Sequence, residues 1–193
     1  MLARDVDQGM QRAEQAKFAL TEEEFILGGK RQSLAAAIQF SLPGIPSIYY
    51  GDEAGMTGLL DPFNRRAFRE EDPAITEQYR TFAGLRRAHP VMSTGNVRFF
   101  STDGSVLGVL RYTTDRRDFF GTEIGSDAVL TVVNPVKDQR RIVIELDEIY
   151  GEPYTQYSTA AASLLTGLET PFEKGLIEID MPPLSADIFG FVK

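Results

Sequence analysis

Residues 44–53 read Gly44-Ile45-Pro46-Ser47-Ile48-Tyr49-Tyr50-Gly51-Asp52-Glu53, and a second motif at 61–66 reads Asp61-Pro62-Phe63-Asn64-Arg65-Arg66. The middle of the first motif, residues 47–50, is a short apolar and aromatic run between a proline and a glycine. Runs of this kind are typical of buried strands. The sequence therefore predicts a strand at 47–50, followed by a loop, rich in Gly, Asp and Pro, that extends to residue 72.

Helical patterns precede this strand. Thr21 and Glu24 have the spacing of a capping box, which predicts a helix start. We expect the pair Gly28-Gly29 to interrupt that helix, because each glycine costs about 1 kcal/mol relative to alanine in a helix interior. A further helix is predicted over 30–40 and should stop at Pro43-Gly44; its apolar face consists of Leu34, Ala37, Ile38 and Ser41.

A helix is also predicted after the loop. Asp72 is a suitable N-cap, and Pro73 fits the first helical position, where its missing N–H costs nothing. Ile75, Tyr79 and Phe82 continue at helical spacing, and Pro90 should end the helix.

From residue 96 onward the pattern changes to short, turn-bounded strands, which favours an antiparallel sandwich. Asp103-Gly104 is a strong hairpin signal between the first two, and 154–165 is ambiguous between strand and loop. The predicted fold class is α+β, with a helical amino-terminal part followed by an all-β antiparallel Greek-key sandwich, and with domains at 1–94 and 95–193. The strand candidates are 97–100, 106–113, 128–134, 140–146, 176–181 and 188–192.

Composition excludes several classes of function. The chain of 193 residues has a formal net charge of −8, whereas a nucleic-acid binder needs a basic surface. It has no cysteine and a single histidine, so we expect no metal and no cofactor. No apolar run approaches the roughly 20 residues of a membrane helix, and the first residues, MLARDVDQGM, lack the apolar region of a signal peptide. The expected location is cytoplasmic, with no nucleic-acid or membrane partner.

The two motifs of residues 44–66 resemble the last barrel strand and the following loop of the alpha-amylase family of glycoside hydrolases. Two further runs agree: Leu85-Arg86-Arg87-Ala88-His89-Pro90 resembles the end of that family's last barrel helix, and Met181-Pro182-Pro183-Leu184-Ser185-Ala186 resembles the turn before its closing strand. The resemblance covers most of the chain. It implies that residues 1–94 are the end of a (β/α)₈ barrel and that residues 95–193 are its β-sandwich domain.

The resemblance also implies site residues. In such barrels the site lies at the carboxyl ends of the strands, so Tyr50, Asp52 and Glu53 would support the active-site rim; the alternative is that the two carboxylates only cap turns or pair with arginines. Asp61 and Arg65 match the Asp-Pro-x-x-Arg pair that neopullulanase- and cyclomaltodextrinase-type members use at a glucose subsite beyond the cleaved bond. A carboxylate accepts hydrogen bonds from sugar hydroxyls while a guanidinium donates them. The alternative for this pair is a local ion pair that holds the loop.

The chain departs from the family pattern in its aromatic residues and in its catalytic residues. Many relatives have a tryptophan after these arginines, but this chain has none, so a stacking platform would have to come from Phe63, Phe68 or Tyr50. The family's catalytic nucleophile, acid and third carboxylate follow earlier barrel strands, and no Asn-His-Asp-like motif precedes Gly44. We therefore expect no catalytic residue in this chain.

The resulting hypothesis is the carboxyl-terminal part of a retaining glycoside hydrolase that processes alpha-glucans or maltooligosaccharides, inactive alone. Within the family the alternative is a transglycosylase or glucosyl isomerase. Outside it, the alternatives are a non-catalytic sugar-binding or structural module and an interaction subunit. Because the strand at 47–50 would lack neighbours, its unpaired edge could support a homo-oligomer through the exposed barrel remnant, be borrowed into another sheet, or adopt an altered conformation.

Overall fold

The computed structural model describes residues 10–102, 104–125, 127–146, 159–172 and 175–192. Helices come first along the chain: α1 (Arg12–Gln15), α2 (Glu22–Ser41), a 3₁₀ turn (Asp52–Ala54), α3 (Pro73–Ala88) and α4 (Val91–Thr94). Eight strands follow: β1 (Asn96–Thr102), β2 (Val106–Tyr112), β3 (Ala128–Asn134), β4 (Arg140–Glu145), β5 (Ala160–Ser163), β6 (Glu169–Pro171), β7 (Leu176–Met181) and β8 (Ser185–Val192). None of the helices in these ranges is long and apolar enough to cross a lipid bilayer.

Helix α2 begins at the predicted capping box but is longer than predicted. The Thr21 hydroxyl accepts from the Glu24 N–H, and the Glu24 carboxylate accepts from the Thr21 N–H. The predicted interruption at Gly28-Gly29 is wrong, because one continuous helix runs through both glycines to Ser41. A Cβ on Gly29 would lie 3.9 Å from the side chain of Ile75 on α3, so this part of α2 runs close to its partner helix. Tertiary packing of this kind overrides weak helix propensity.

Helix α3 follows the prediction closely. The Asp72 carboxylate accepts from the Ala74 N–H, and Pro73 occupies the first turn. The predicted face of Ile75, Tyr79 and Phe82 is buried. The helix ends at Ala88, and its C-cap His89 precedes Pro90. The His89 ring nitrogen Nδ1 lies 3.1 Å from an Asp127 carboxylate oxygen.

The strands form an antiparallel sandwich, which confirms the predicted fold class. A six-stranded sheet has the order β1-β2-β3-β8-β5-β6, and β4 pairs with β7 in a second sheet. β4 alternates as a half-buried strand should, since Ile142 and Ile144 are buried whereas Val143 is 52% exposed. The hairpin between β1 and β2 is present. β5 lies within the segment that the sequence left ambiguous, and β6 was missed.

The six-stranded sheet is the middle of three layers. On one face Leu110 and Leu130 join a core with Ile144 and Ile177 of the second sheet. On the other face Val129 joins a second core, whose helical members include Ala37, Phe40, Phe82 and Met92. The helices and the strands thus share a core across residue 95, and the domain division at that point stays a prediction.

Two buried arginines fix the helices to the sheet. Arg111 of β2 is fully buried and donates to the carbonyl oxygens of Ser41 (3.0 Å), Met92 (2.5 Å), Gly95 (2.7 Å) and Asn96 (3.1 Å). Burial, and next the positive charge of Arg86, lower the pKa of Arg111 to about 10.

Arg86 of α3 makes similar contacts beside Arg111. It donates to the carbonyl oxygens of Phe40 (2.6 Å), Leu42 (3.0 Å) and Met92 (2.7 Å), and also to that of Gly44. The last carbonyl groups of a helix lack partners within the helix. The two guanidinium groups therefore satisfy the carboxyl-terminal ends of α2 and α4.

The predicted strand at 47–50 does not form. Residues 45–49 have no regular secondary structure, residue 50 begins a turn, and none of them pairs with a described strand. Ile48, Tyr49 and Tyr50 are 40–51% exposed rather than buried. A strand needs a neighbour to satisfy its backbone N–H and C=O groups. The described part of the chain supplies none at this position, and the Ser47 carbonyl instead accepts from the Gln39 side chain.

We predict that Arg111→Leu lowers the free energy of unfolding by at least about 3 kcal/mol, because several buried carbonyl oxygens lose their donor at about 1–3 kcal/mol each. Chemical denaturation of both proteins measures the difference. The control is Arg87→Leu, at an exposed position on α3, which should change stability by no more than about 0.5 kcal/mol. Equal stability of the two variants would contradict the role given to Arg111.

Candidate functional site

The first motif ends in a 3₁₀ turn that two glycines make possible. Gly51 and Gly55 flank the turn with φ of 94° and 69°. A Cβ on Gly51 would lie 2.7 Å from the sulfur of Met56, and a Cβ on Gly55 would lie 2.5 Å from the Cβ of Asp72. Both positions need left-handed backbone and close approach, which glycine alone supplies without strain.

The loop that follows is held by one carboxylate. Glu71, whose side chain is 13% exposed, accepts from Arg66 Nη2 at 2.6 Å and from Arg69 Nε at 2.7 Å. It also accepts from the Thr57 backbone N–H at 3.0 Å. Burial raises the pKa of the Glu71 carboxyl, but the Thr57 N–H and the Arg69 and Arg66 guanidinium groups lower it, and the net shift is downward. Glu71 therefore joins the beginning and the end of the loop.

A cavity of about 410 Å³ lies between this loop, the 3₁₀ turn, the first turns of α2 and the segment of residues 15–20. Its lining combines aromatic rings with polar groups, a composition that is common in small-molecule pockets. Among the lining residues are Tyr49, Tyr50, Phe63, Gln32, Asp52 and Arg66.

Of the three predicted rim residues, Tyr50 and Asp52 line this cavity, whereas Glu53 lies in the same 3₁₀ turn but is not part of the lining. The Tyr50 hydroxyl donates to the Arg66 carbonyl oxygen at 2.9 Å. Burial, and next the charge of Glu53, raise the pKa of Asp52. Glu53 accepts from the Gly51 N–H at 2.9 Å, so its carboxylate caps the turn. This contact agrees with the structural alternative for Glu53, while a supporting role at an active-site rim stays a prediction.

Asp61 and Arg65 form an ion pair, with 2.7 Å between Asp61 Oδ1 and Arg65 Nη2 and with both side chains 62% exposed. Described residues of the same loop that line the cavity include Phe63, Asn64 and Arg66, but neither member of this pair. The geometry of the pair agrees with the alternative that it holds the loop. The pair also presents a carboxylate and a guanidinium together to solvent. Its contact with sugar stays a prediction.

Comparison with known proteins shows that the sequence of this chain is similar to those of several glucan-processing enzymes. An amylopullulanase from Thermoanaerobacterium thermosulfurigenes is 27% identical over 161 residues, which are 82% of this chain and 8% of that protein. A cyclomaltodextrinase from Geobacillus thermopakistaniensis is 25% identical over 86% of this chain and 26% of its own length. The chain belongs to the alpha-amylase family of glycoside hydrolases.

A solved structure shares the fold of this alpha-amylase family chain. The crystal structure of an Anoxybacillus alpha-amylase superposes with a TM-score of 0.70 at 20% identity, covering 86% of this chain and 33% of that one. No protein-family model matches the chain. The chain therefore spans a third or less of each of these three relatives.

Sequence reasoning missed several residues that shape the site of this family member. Gln32 of α2 donates to the Asp52 carbonyl oxygen and ties the 3₁₀ turn to the helix. Arg66 belongs to the second motif, but no sequence pattern identified Glu71 as its partner, apart from the short distance between them along the chain. Within the described ranges, no group of three or more His, Cys, Asp or Glu side chains could hold a metal ion.

We predict a pH-dependent loss of stability in Glu71→Gln. Because the folded-state pKa of Glu71 is lowered, its stabilisation is present above the unfolded-state value near 4.3 and is lost as pH falls through the folded-state pKa. At pH 7 the variant should be about 1–2 kcal/mol less stable than the wild type. The difference should shrink steadily as the pH is lowered below about 4.

Denaturation curves at several pH values measure this difference. The matched control is Glu70→Gln, which changes the neighbouring exposed carboxylate and should have a much smaller effect. A Glu71→Gln deficit that is the same at low and neutral pH would show that lost packing, rather than charge, causes it.

Proposed function

We propose that this chain is the carboxyl-terminal part of a retaining glycoside hydrolase that processes alpha-glucans, with maltooligosaccharides as the substrate of the whole enzyme. Residues 1–94 would be the end of its barrel, and residues 95–193 its sandwich domain. The relatedness to an amylopullulanase and a cyclomaltodextrinase supports the substrate class. A retaining mechanism needs two carboxylates about 5–5.5 Å apart across the scissile bond. We assign neither to a residue of this chain, and we expect the chain alone to be inactive.

The proposed role of this chain in substrate binding rests on one observation. Asp61 and Arg65 are already paired and exposed on a loop that Glu71 holds in place. An exposed ion pair of this kind contributes less than about 1 kcal/mol to stability. It leaves further carboxylate lone pairs and guanidinium N–H groups directed to solvent. Vicinal hydroxyls of a glucose ring can use both, which would fix the orientation of the ring.

The residues of the turn would act beside this pair. Tyr50, held through its hydroxyl by the Arg66 carbonyl, presents an aromatic ring at the cavity. Asp52 and Glu53 would position this rim and would not act on the scissile bond. A transglycosylase or glucosyl isomerase of the same family remains the alternative, because the same contacts would serve an acceptor sugar.

We predict that Asp61→Ala or Arg65→Ala in the whole enzyme weakens turnover of long substrates selectively. Loss of a charged hydrogen bond to a sugar costs about 1.5–3 kcal/mol, or about one to two decades in kcat/KM for maltoheptaose. A short aryl glucoside that does not reach this subsite should be nearly unaffected. Steady-state kinetics with both substrates measure the split.

The matched control is Arg80→Ala. Arg80 forms a comparable exposed ion pair with Glu77 on α3, at 3.3 Å and with both side chains about 70% exposed. This variant should leave both substrates unchanged. Equal losses on short and long substrates in Asp61→Ala, together with a lower melting temperature, would leave this pair with a loop-holding role only.

We further propose that the chain on its own self-associates through its exposed segment at 45–50. Ile45 is 95% exposed, and Ile48 and Tyr49 are 40% and 51% exposed. Sedimentation equilibrium should show a mass that rises with concentration, and Ile45→Lys with Ile48→Lys should return it to the monomer mass. A monomer at all concentrations in the unaltered chain would contradict this proposal.

A further inference from the structure

The loop between β2 and β3 presents two aromatic rings to solvent. Phe119 and Phe120 are 74% and 76% exposed. Their rings meet edge to face, with centroids 5.5 Å apart and planes at 86°. Single exposed apolar residues are common on protein surfaces, whereas contiguous exposed apolar patches often mark contact sites.

The backbone beneath these rings is held in place. Asp118 Oδ1 accepts from the Phe120 N–H at 3.0 Å and from the Thr122 N–H at 2.8 Å. The Phe119 N–H donates to the Thr94 carbonyl oxygen at the end of α4, at 2.9 Å. Both aromatic residues therefore have their own amides fixed, and the backbone that carries the rings is held before any ligand arrives. Such preorganisation lowers the entropic cost of binding.

The size of the surface favours a small ligand over a protein. A stable protein–protein interface buries roughly 800 Å² on each partner, whereas two aromatic side chains offer about 150–250 Å² each even when fully covered. A pyranose ring has a flat C–H face of matching size and hydroxyls around its edge. The same loop supplies polar partners for those hydroxyls, since Arg116 and Glu123 form an ion pair at 3.3 Å and are 64% and 60% exposed.

We propose that Phe119 and Phe120 form an auxiliary glucan-binding platform on which the C–H face of a glucose ring stacks, with Arg116 and Glu123 contacting its hydroxyls. This platform is separate from the loop that carries Asp61 and Arg65. It rests on the proposed function, because it takes the same class of ligand. It would hold an alpha-glucan chain to the enzyme without taking part in bond cleavage.

Maltoheptaose binding to the 193-residue chain, followed by NMR with labelled phenylalanine rings, tests the platform. The ring signals of Phe119 and Phe120, assigned by their loss in the double variant Phe119→Ala with Phe120→Ala, should shift as maltoheptaose is added. The double variant should bind about five- to tenfold more weakly, with an unchanged melting temperature because both side chains are exposed. The matched control is Phe99→Ala, a phenylalanine of β1 that is 53% exposed, which should bind as the wild type does.

The outcomes separate this platform from the proposed function. Unchanged ring signals, or equal affinity in the double variant, would overturn the platform. If Arg65→Ala abolished binding while the double variant did not, the platform would fail and the Asp61–Arg65 subsite would stand. Equal shifts with cellohexaose would overturn the assignment to alpha-glucans. Concentration-dependent shifts of these rings without any sugar would identify the surface as a protein contact and would also overturn it.

Discussion

The carbonyl groups at the ends of two helices are the constraint around which this chain is organised. The carboxyl-terminal ends of α2 and α4 point at one buried place, where their partial negative charges would be unpaired. Arg86 and Arg111 enter this place from a helix and from a strand. Because Arg86 also binds the Gly44 carbonyl, the direction in which the chain leaves α2 is fixed there. The position of the 3₁₀ turn and of the loop after it follows from that exit.

The position of the six-stranded sheet between two layers explains why β3 is almost entirely apolar. β3 is buried at every residue, because one face meets the helices and the other meets β4 and β7. Its polar members are paired inside: the Thr131 hydroxyl lies 2.6 Å from that of Ser41 in α2. The Asn134 side chain donates to the Pro182 carbonyl at 2.7 Å. Buried polar groups of this kind fix the register of the layers.

Sequence patterns located the elements whose signals are local. The cap of α3, the bounds of β3 and β7, and the hairpin of β1 and β2 depend on residues close to one another in the chain. The patterns failed where distant contacts decide. The glycine pair in α2 is carried through by packing on α3, and residues 47–50 fail to form a strand because no neighbour is present. β5 is made of small residues with little strand propensity, so its pairing with β6 and β8 defines it. Within the site, the sequence showed the position of the two motifs. The contacts of Glu71 with Thr57, Arg66 and Arg69 could be identified only in the structure.

The exposed segment at 45–50 has a consequence for the behaviour of this chain at high concentration. Apolar, uncharged stretches with free backbone groups are templates for cross-β stacking. Here Pro46 cannot donate a backbone N–H, and Gly51 has a left-handed backbone, with φ of 94°, that a strand does not adopt. Only four residues remain between them, fewer than the six or seven that a steric zipper uses. The same proline and glycine that frame the motif therefore protect the exposed segment from fibril growth.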